Sequence, residues 1–399
     1  RSMIELKKIL FAGYGIADKK YNDYANTDSS ISAVMIMAGE PLKKNMDFLL
    51  GKGKNPSNWS TVQRMKVDEA KRFEKKIIFI VEGDFEKSLQ DNAHRIYSGR
   101  MRLAEDEDKN YTGLITIHIS KKMANEILRE SGQSIQTIAE GITSSSRPNS
   151  FELKTDLNLK VFQTIEKIES ENVVGFVEGN DLKDELVVIT AHYDHLGIQE
   201  NAIYNGADDD GSGTVAVIEL AKAFAGARAA GKGPRRSMLF MTVAGEEKGL
   251  LGSDYYSRHP LFPLKNTIAD LNIDMIGRID EEHKGNADYV YIIGSDMLSS
   301  SLHQINDLSN RNYVKLQLDY KFNSKDDPNR YYYRSDHYNF AKHNIPVIFY
   351  FNGVHEDYHQ ESDEVEKINF PKIEKITKLV FFTAWELVNR NERIKVDKK

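Results

Sequence analysis

The chain contains no cysteine. That absence excludes disulfides and every thiolate metal site, so a bound metal must be held by His, Asp and Glu. It says little about compartment, because exported bacterial proteins often lack cysteine as well. Long apolar runs are missing too: none approaches the roughly eighteen residues of a membrane span, so no membrane-embedded segment is expected. No charge of one sign dominates. A net charge of -6 with both signs spread along the chain leaves no basic footprint for nucleic acid or anionic lipid, although an acidic site could sit inside that average. Arg1-Ser2 before Met3 reads as a cloning remnant with no charged n-region and apolar h-region after it, so a native leader is expected to have been removed.

With 40% hydrophobic and 29% charged residues, the chain falls in the globular range, and 399 residues exceed one ordinary core. Two domains are expected, residues 1–150 and 151–399. The first alternates short strand-like runs (Lys8 to Phe11, Ala33 to Met37, Ile77 to Val81, Leu114 to Ile119) with amphipathic stretches. Val62, Met65, Ala70 and Phe73 follow the cap candidate Ser60 at near-helical spacing, as Met123, Ile127 and Leu128 follow Ser120. The polar run Thr143 to Ser150 breaks this periodicity and reads as a linker. Beyond it strands are expected at Asn172 to Val177, Leu186 to Thr190, Ser237 to Val243, Thr267 to Ile273, Tyr289 to Ile293 and Pro346 to Phe351. Helices are signalled at Gly213 to Phe224, Leu250 to Ser257, Met297 to Arg311, Asp336 to His343 and Pro371 to Val388. Such alternation predicts an α/β fold, a mainly parallel twisted sheet with helices on both faces.

Several acidic and imidazole fragments follow β-branched, apolar runs, where an α/β protein presents loop residues at the carboxyl ends of its strands. His192 and Asp194 are two apart at the end of one strand and would share a side, so one could bind metal while the other supports it. Such a pair also arises by chance, and His195 offers a competing imidazole. The run Asp208-Asp209-Asp210 could simply cap the helix after Ser212, but three crowded carboxylates repel one another unless a cation neutralises them. In Glu246-Glu247 one carboxylate could coordinate while its neighbour takes a proton from water; as a plain alternative, a Glu pair in a first helical turn favours the dipole. Asp274 ends another apolar strand and needs a partner, either a cation or an ordinary salt bridge. For a last ligand His355 and His359 compete, and a following Asp363 could orient His359.

Taken in order from about Val173 to Val388, these fragments resemble the two-zinc aminopeptidase family that also contains the glutamate carboxypeptidases and the transferrin receptor. The resemblance implies two Zn2+ ions per chain, one held by His192 and Asp274, the other by Glu247 and His359, with Asp209 bridging. It also implies Glu246 as general base, Asp194 as the carboxylate behind His192, and a cis peptide between Asp209 and Asp210. His337 in the stretch Tyr333 to Phe340 could line the pocket or be structural, and Tyr331 to Tyr333 could be a substrate wall or packing. The first segment, through Phe11 to Ile16 and Lys75 to Val81, loosely resembles a protease-associated domain, and its lysine-rich stretch Lys43 to Lys54 reads as a solvated loop.

The expected activity is that of a zinc-dependent exopeptidase, an aminopeptidase acting on peptide substrates with Glu246 activating the water. No nucleic-acid partner is expected, and the oligomeric state is left open. A glutamate-carboxypeptidase-like dipeptidase shares the same metal residues and differs only in its pocket. Glutaminyl cyclase keeps a single zinc, and a receptor-like homologue tends to lose ligands or the base, whereas here all are present. Family habit adds an exported setting, periplasmic or extracellular.

Overall fold

The computed structural model describes residues 2–25, 27–93, 99, 101–106, 114–161, 164–199 and 201–398. The chain divides into two compact units, the first formed by Arg1–Arg100 and Ala104–Lys167, the second by Met101–Leu103 and Ile168–Lys399.

The first unit is built on a five-stranded sheet. Its strands are β1 (Ser2–Ala12), β2 (Ala33–Met37), β3 (Ile77–Val81), β4 (Ile115–Ile119) and β5 (Ser150–Val161), in the order β4-β3-β2-β1-β5. The first four run parallel, and β2 and β3 are buried along their whole length, as strands covered on both faces must be. The expected boundary at residue 150 needs correction, because β5 pairs antiparallel with β1 from Ala12↔Ser150 to Ser2↔Val161. The run read as a linker is instead the end of the helix Ile135–Ser145 and the start of β5. A capping box of Ser134 and Thr137 opens that helix, and Ser144 and Ser145 donate their hydroxyls to the Gly141 carbonyl within it. Serines that look like linker are thus satisfied along a helix.

The second unit carries a seven-stranded sheet. Its strands are β6 (Val173–Val177), β7 (Leu182–His192), β10 (Arg236–Val243), β11 (Thr267–Ile273), β12 (Tyr289–Ile293), β13 (Gln317–Asp319) and β14 (Val347–Phe351). A separate hairpin pairs β8 (Gly197–Gln199) with β9 (Ala202–Tyr204). The sheet order is β13-β12-β14-β11-β7-β10-β6. Strands β14, β11, β7 and β10 are mutually parallel, while β6 and β12 run antiparallel to their neighbours β10 and β14. The mainly parallel α/β fold is therefore as expected.

Alternation along the strands distributes side chains to two cores. Val187, Ile189, Met238 and Phe240 pack with Val217, Leu220 and Phe224 of the helix Gly213–Ala229 and with the helix Phe370–Asn389. Leu186, Val188, Leu239 and Met241 meet Tyr256 and Phe340 on the opposite face. Both faces are covered, so polar chemistry is left to the strand ends. The parallel register brings those ends to one edge: Val243 pairs with His192, and Ile273 with Tyr350.

Candidate metal centre

At this edge β7 ends in His192, β10 leads through Ala244 and Gly245 to Glu246 and Glu247, β11 leads to Asp274, and the chain after β14 reaches His359. Among the described residues, two groups of donors have their ligand atoms within 4.8 Å of one another, His192 with Glu246 and Asp274, and His195 with Asp209 and Glu247. Asp209 lies between the two groups. Its Oδ1 is 3.2 Å from His192 Nε2, and its Oδ2 is 3.1 Å from His359 Nε2. Asp274 Oδ1 stands 3.6 Å from His192 Nε2, and Glu247 Oε2 stands 3.3 Å from His359 Nε2. Donors bonded tetrahedrally to a common zinc-sized ion at about 2.0–2.1 Å would lie roughly 3.3 Å apart, so these spacings fit a divalent metal. His192 Nε2 and Glu247 Oε1 are buried without a hydrogen bond, which is costly unless a cation faces them.

The crowded aspartates divide their tasks. Asp210 is spent on backbone: its Oδ1 accepts from the N–H groups of Gly213 (2.9 Å) and Met275 (3.0 Å), its Oδ2 from that of His192 (3.2 Å). Asp208 Oδ1 accepts from Gly277 N–H at 2.5 Å, and its Oδ2 faces His355 Nε2 at 3.2 Å. Hydrogen bonds and His355 hold two of the three crowded carboxylates, and only Asp209 faces the cluster. His355 is accordingly taken up by Asp208, and His359 is the histidine brought to the site. The Asp209–Asp210 peptide is cis, as the resemblance implied.

Two supporting roles also differ from expectation. Asp363 does not orient His359; its Oδ2 accepts from the backbone N–H of Asp208 (3.0 Å) and Asp209 (3.2 Å), fixing the loop that aims Asp209. His359 instead stacks on Tyr358 with ring centroids 3.9 Å apart, and it adopts a left-handed φ of 56°. A non-glycine residue there marks a position over-determined by its surroundings. Asp194 sits beside His192, but the His192 Nδ1 bonds its backbone carbonyl at 3.0 Å rather than its carboxylate at 3.8 Å.

Ser335 carries a role that sequence reasoning missed. Its hydroxyl donates to Asp274 Oδ2 at 2.6 Å and accepts from Asn272 Nδ2 at 2.8 Å, while Asn272 Oδ1 accepts from Thr190 at 2.8 Å. A neutral serine inside the stretch Tyr333 to Phe340 has no charge or spacing to single it out. His337 is fully buried, stacked on Phe349 at 4.8 Å, and burial depresses its pKa to about 3; it is packing rather than a ligand.

Electrostatics among these side chains separate their tasks. Burial, aided by the carboxylates of Asp274, Asp336 and Glu247 and opposed by His192, raises the proton affinity of Glu246 well above the carboxylate range. Burial acts the same way on Asp209, yet the neighbouring imidazoles of His192 and His359 outweigh it and hold that carboxylate below its ordinary value. Next to the cluster lies a small cleft of about 40 Å³ lined by Glu246, Asp274, Arg334, His359 and the aromatic rings of Tyr331, Phe349, Phe351 and Tyr358.

A doubly covered, mainly parallel sheet with imidazoles and carboxylates converging at its strand ends defines an α/β protein built to hold divalent metal beside a cleft. Within that class the chain belongs to Peptidase family M28, whose profile it matches over residues 172–384. Aminopeptidase YwaD of Bacillus subtilis is 26% identical over 238 residues, 58% of this chain and 47% of that protein. A probable leucine aminopeptidase of Arthroderma otae is 30% identical over 217 residues, 52% of this chain and 56% of that protein. The chain thus spans about half the length of these curated relatives. Its fold is similar to that of an aminopeptidase from Aneurinibacillus sp. strain AM-1, with a TM-score of 0.51 at 16% identity, covering 100% of this chain and 78% of that one.

Proposed function

We propose that the chain is a zinc-dependent exopeptidase, an aminopeptidase that hydrolyses the peptide bond next to a free amino terminus. The observation that carries this reading is Asp209, which turns one carboxylate oxygen to His192 at 3.2 Å and the other to His359 at 3.1 Å. In this reading His192 and Asp274 hold one Zn2+, Glu247 and His359 hold a second, and Asp209 joins the two. Zinc, when bound, lowers the pKa of water toward about 7 and polarises carbonyl oxygens.

The chain supplies the rest. Glu246 lines the cleft, placed to accept a proton from the attacking water and pass it to the departing amine. Ser335 fixes the orientation of Asp274, and Asp194 holds the Glu246–Glu247 turn through both backbone N–H groups. The aromatic rings among the cleft's lining residues offer the substrate an apolar surface. The aminopeptidase names of the Bacillus subtilis and Arthroderma otae relatives favour the amino end of a peptide. The test compares free with acetyl-capped peptides, with and without a chelator. Cleavage lost on capping and on chelation supports an aminopeptidase; indifference to the cap sinks it.

One observation favours a second reading. Arg334, exposed at the cleft and stacked on Tyr331 at 5.0 Å, could take a substrate carboxylate, as a dipeptidase of the glutamate-carboxypeptidase kind requires. Under that reading amidation of the substrate's carboxyl terminus, not acetylation of its amino terminus, abolishes cleavage. We further propose the first unit as a protease-associated-like domain, and an exported setting for the whole; fractionation of producing cells checks the latter.

A further inference from the structure

The two-ion reading gives each ion one imidazole, yet a third histidine reaches the cluster. His195 lies just beyond β7 with its side chain only 6% exposed, and its Nδ1 is 2.9 Å from Glu247 Oε1 and 3.9 Å from Asp209 Oδ2. A buried histidine normally commits at least one ring nitrogen to a hydrogen bond. Here neither His195 nitrogen, nor Glu247 Oε1, makes an aligned hydrogen bond. Nδ1 and Oε1 are close enough for a hydrogen bond, but the ring N–H does not aim at the oxygen. That arrangement is poor for a proton shared between them and good for a cation that both face.

The surrounding loop is shaped to the imidazole. Gly206, in the left-handed region at φ +65°, comes so close that a Cβ there would lie 2.4 Å from His195 Cγ and 2.8 Å from its Cβ, and 2.2 Å from the Asp209 carbonyl oxygen. The loop carrying Asp209 and the ring of His195 are therefore built against each other. The His359 ring stands 5.7 Å away, edge-on to that of His195. We propose that His195 is a further donor to the ion held by Asp209, Glu247 and His359, so that this site has two imidazoles where the His192–Asp274 site has one. The proposal rests on the two-ion reading of the centre. Four protein donors would make this ion the more firmly held of the pair.

Zinc titration of the apo-protein by calorimetry, run on wild type, His195→Gln and His195→Asn, tests the proposal. Wild type should bind two ions; each variant should keep one affinity unchanged and lose about tenfold or more in the other. The retained ion, held by His192 and Asp274, reports that the variant is folded. A second measurement needs no variant: in the cadmium-113 form of the wild type with nitrogen-15 histidine, metal coupling should appear on three imidazoles. Coupling on two imidazoles only, or two wild-type affinities in both variants, overturns the role of His195 while leaving the two-ion reading intact. Fewer than two ions on the wild type overturns both.

Discussion

His192 and Asp194 are joined through the backbone, with His192 Nδ1 bonded to the Asp194 carbonyl at 3.0 Å. The Asp194 carboxylate is thereby free to accept from the N–H groups of Glu246 at 3.1 Å and Glu247 at 3.4 Å, tying the end of β7 to the turn after β10. Asp194→Ala removes both acceptors and leaves two partly buried N–H groups unpaired, a cost of about 1–3 kcal/mol each. A fall in kcat of roughly 10–100-fold at saturating zinc is expected, with Asp194→Asn, which keeps one acceptor oxygen, falling less. Steady-state kinetics of both variants check this; Asp194→Ala with wild-type kcat sinks it.

Glu246 gives a separate prediction, because Gln keeps its size and removes its basicity. Glu246→Gln should lose about 10²–10⁴ in kcat while zinc content stays at the wild-type value. Metal analysis beside the rate measurement decides between a base and a ligand. Lost zinc would reassign Glu246 to the His192–Asp274 donor group in which it already lies.

What was legible in the sequence depends on where polarity is rare. The strands β7, β10, β11 and β14 are buried on both faces, so each charged residue at their ends stood out against an apolar run, and His192, Glu246 and Asp274 were found that way. Roles fixed by backbone hydrogen bonds were not legible. Nothing in Asp208-Asp209-Asp210 tells which carboxylate faces out, because that depends on Gly277, Met275 and His192 supplying N–H groups from elsewhere in the chain. Strand β5 was missed for a related reason: its alternation of charged and apolar residues, Ser150 to Val161, becomes a strand through pairing with β1, far away in sequence.

Two glycines in one helix should respond in opposite directions. A Cβ on Gly213 would lie 2.4 and 2.5 Å from the Asp210 carboxylate oxygens and 2.5 Å from the Ile273 carbonyl, whereas one on Gly226 meets nothing within 4 Å. Gly213→Ala must push Asp210 off the N–H groups it holds, costing about 1–3 kcal/mol and lowering Tm by roughly 2–4 °C for each of them. Gly226→Ala should gain about 0.4–1 kcal/mol from reduced chain freedom. Thermal unfolding of the two variants side by side checks both; equal shifts would mean that Gly213 has room.

The first unit carries its own pH dependence, centred on Asp23. This carboxylate is fully buried, and its Oδ2 accepts from the N–H groups of Tyr14 at 3.0 Å and Ile16 at 3.1 Å. Burial pushes its pKa up to about 7, against the opposing pull of those bonds and of Lys66. Between the ordinary value of 3.8 and about 7 the folded state therefore binds more protons than the unfolded chain. Stability from this group accordingly falls as pH rises through that window, at up to about 1.4 kcal/mol per pH unit, and levels off above it. Asp23→Asn keeps an acceptor for both N–H groups and removes the titration. Trp59 and Trp385 are the chain's two tryptophans, and Trp59 lies in the core of the first unit, so in a Trp385→Phe background its fluorescence reports that unit. Urea midpoints followed at pH 5, 6, 7 and 8 should decline for the protein with its native Asp23 relative to the Asp23→Asn variant; parallel curves for the two would show that Asp23 is ionised throughout.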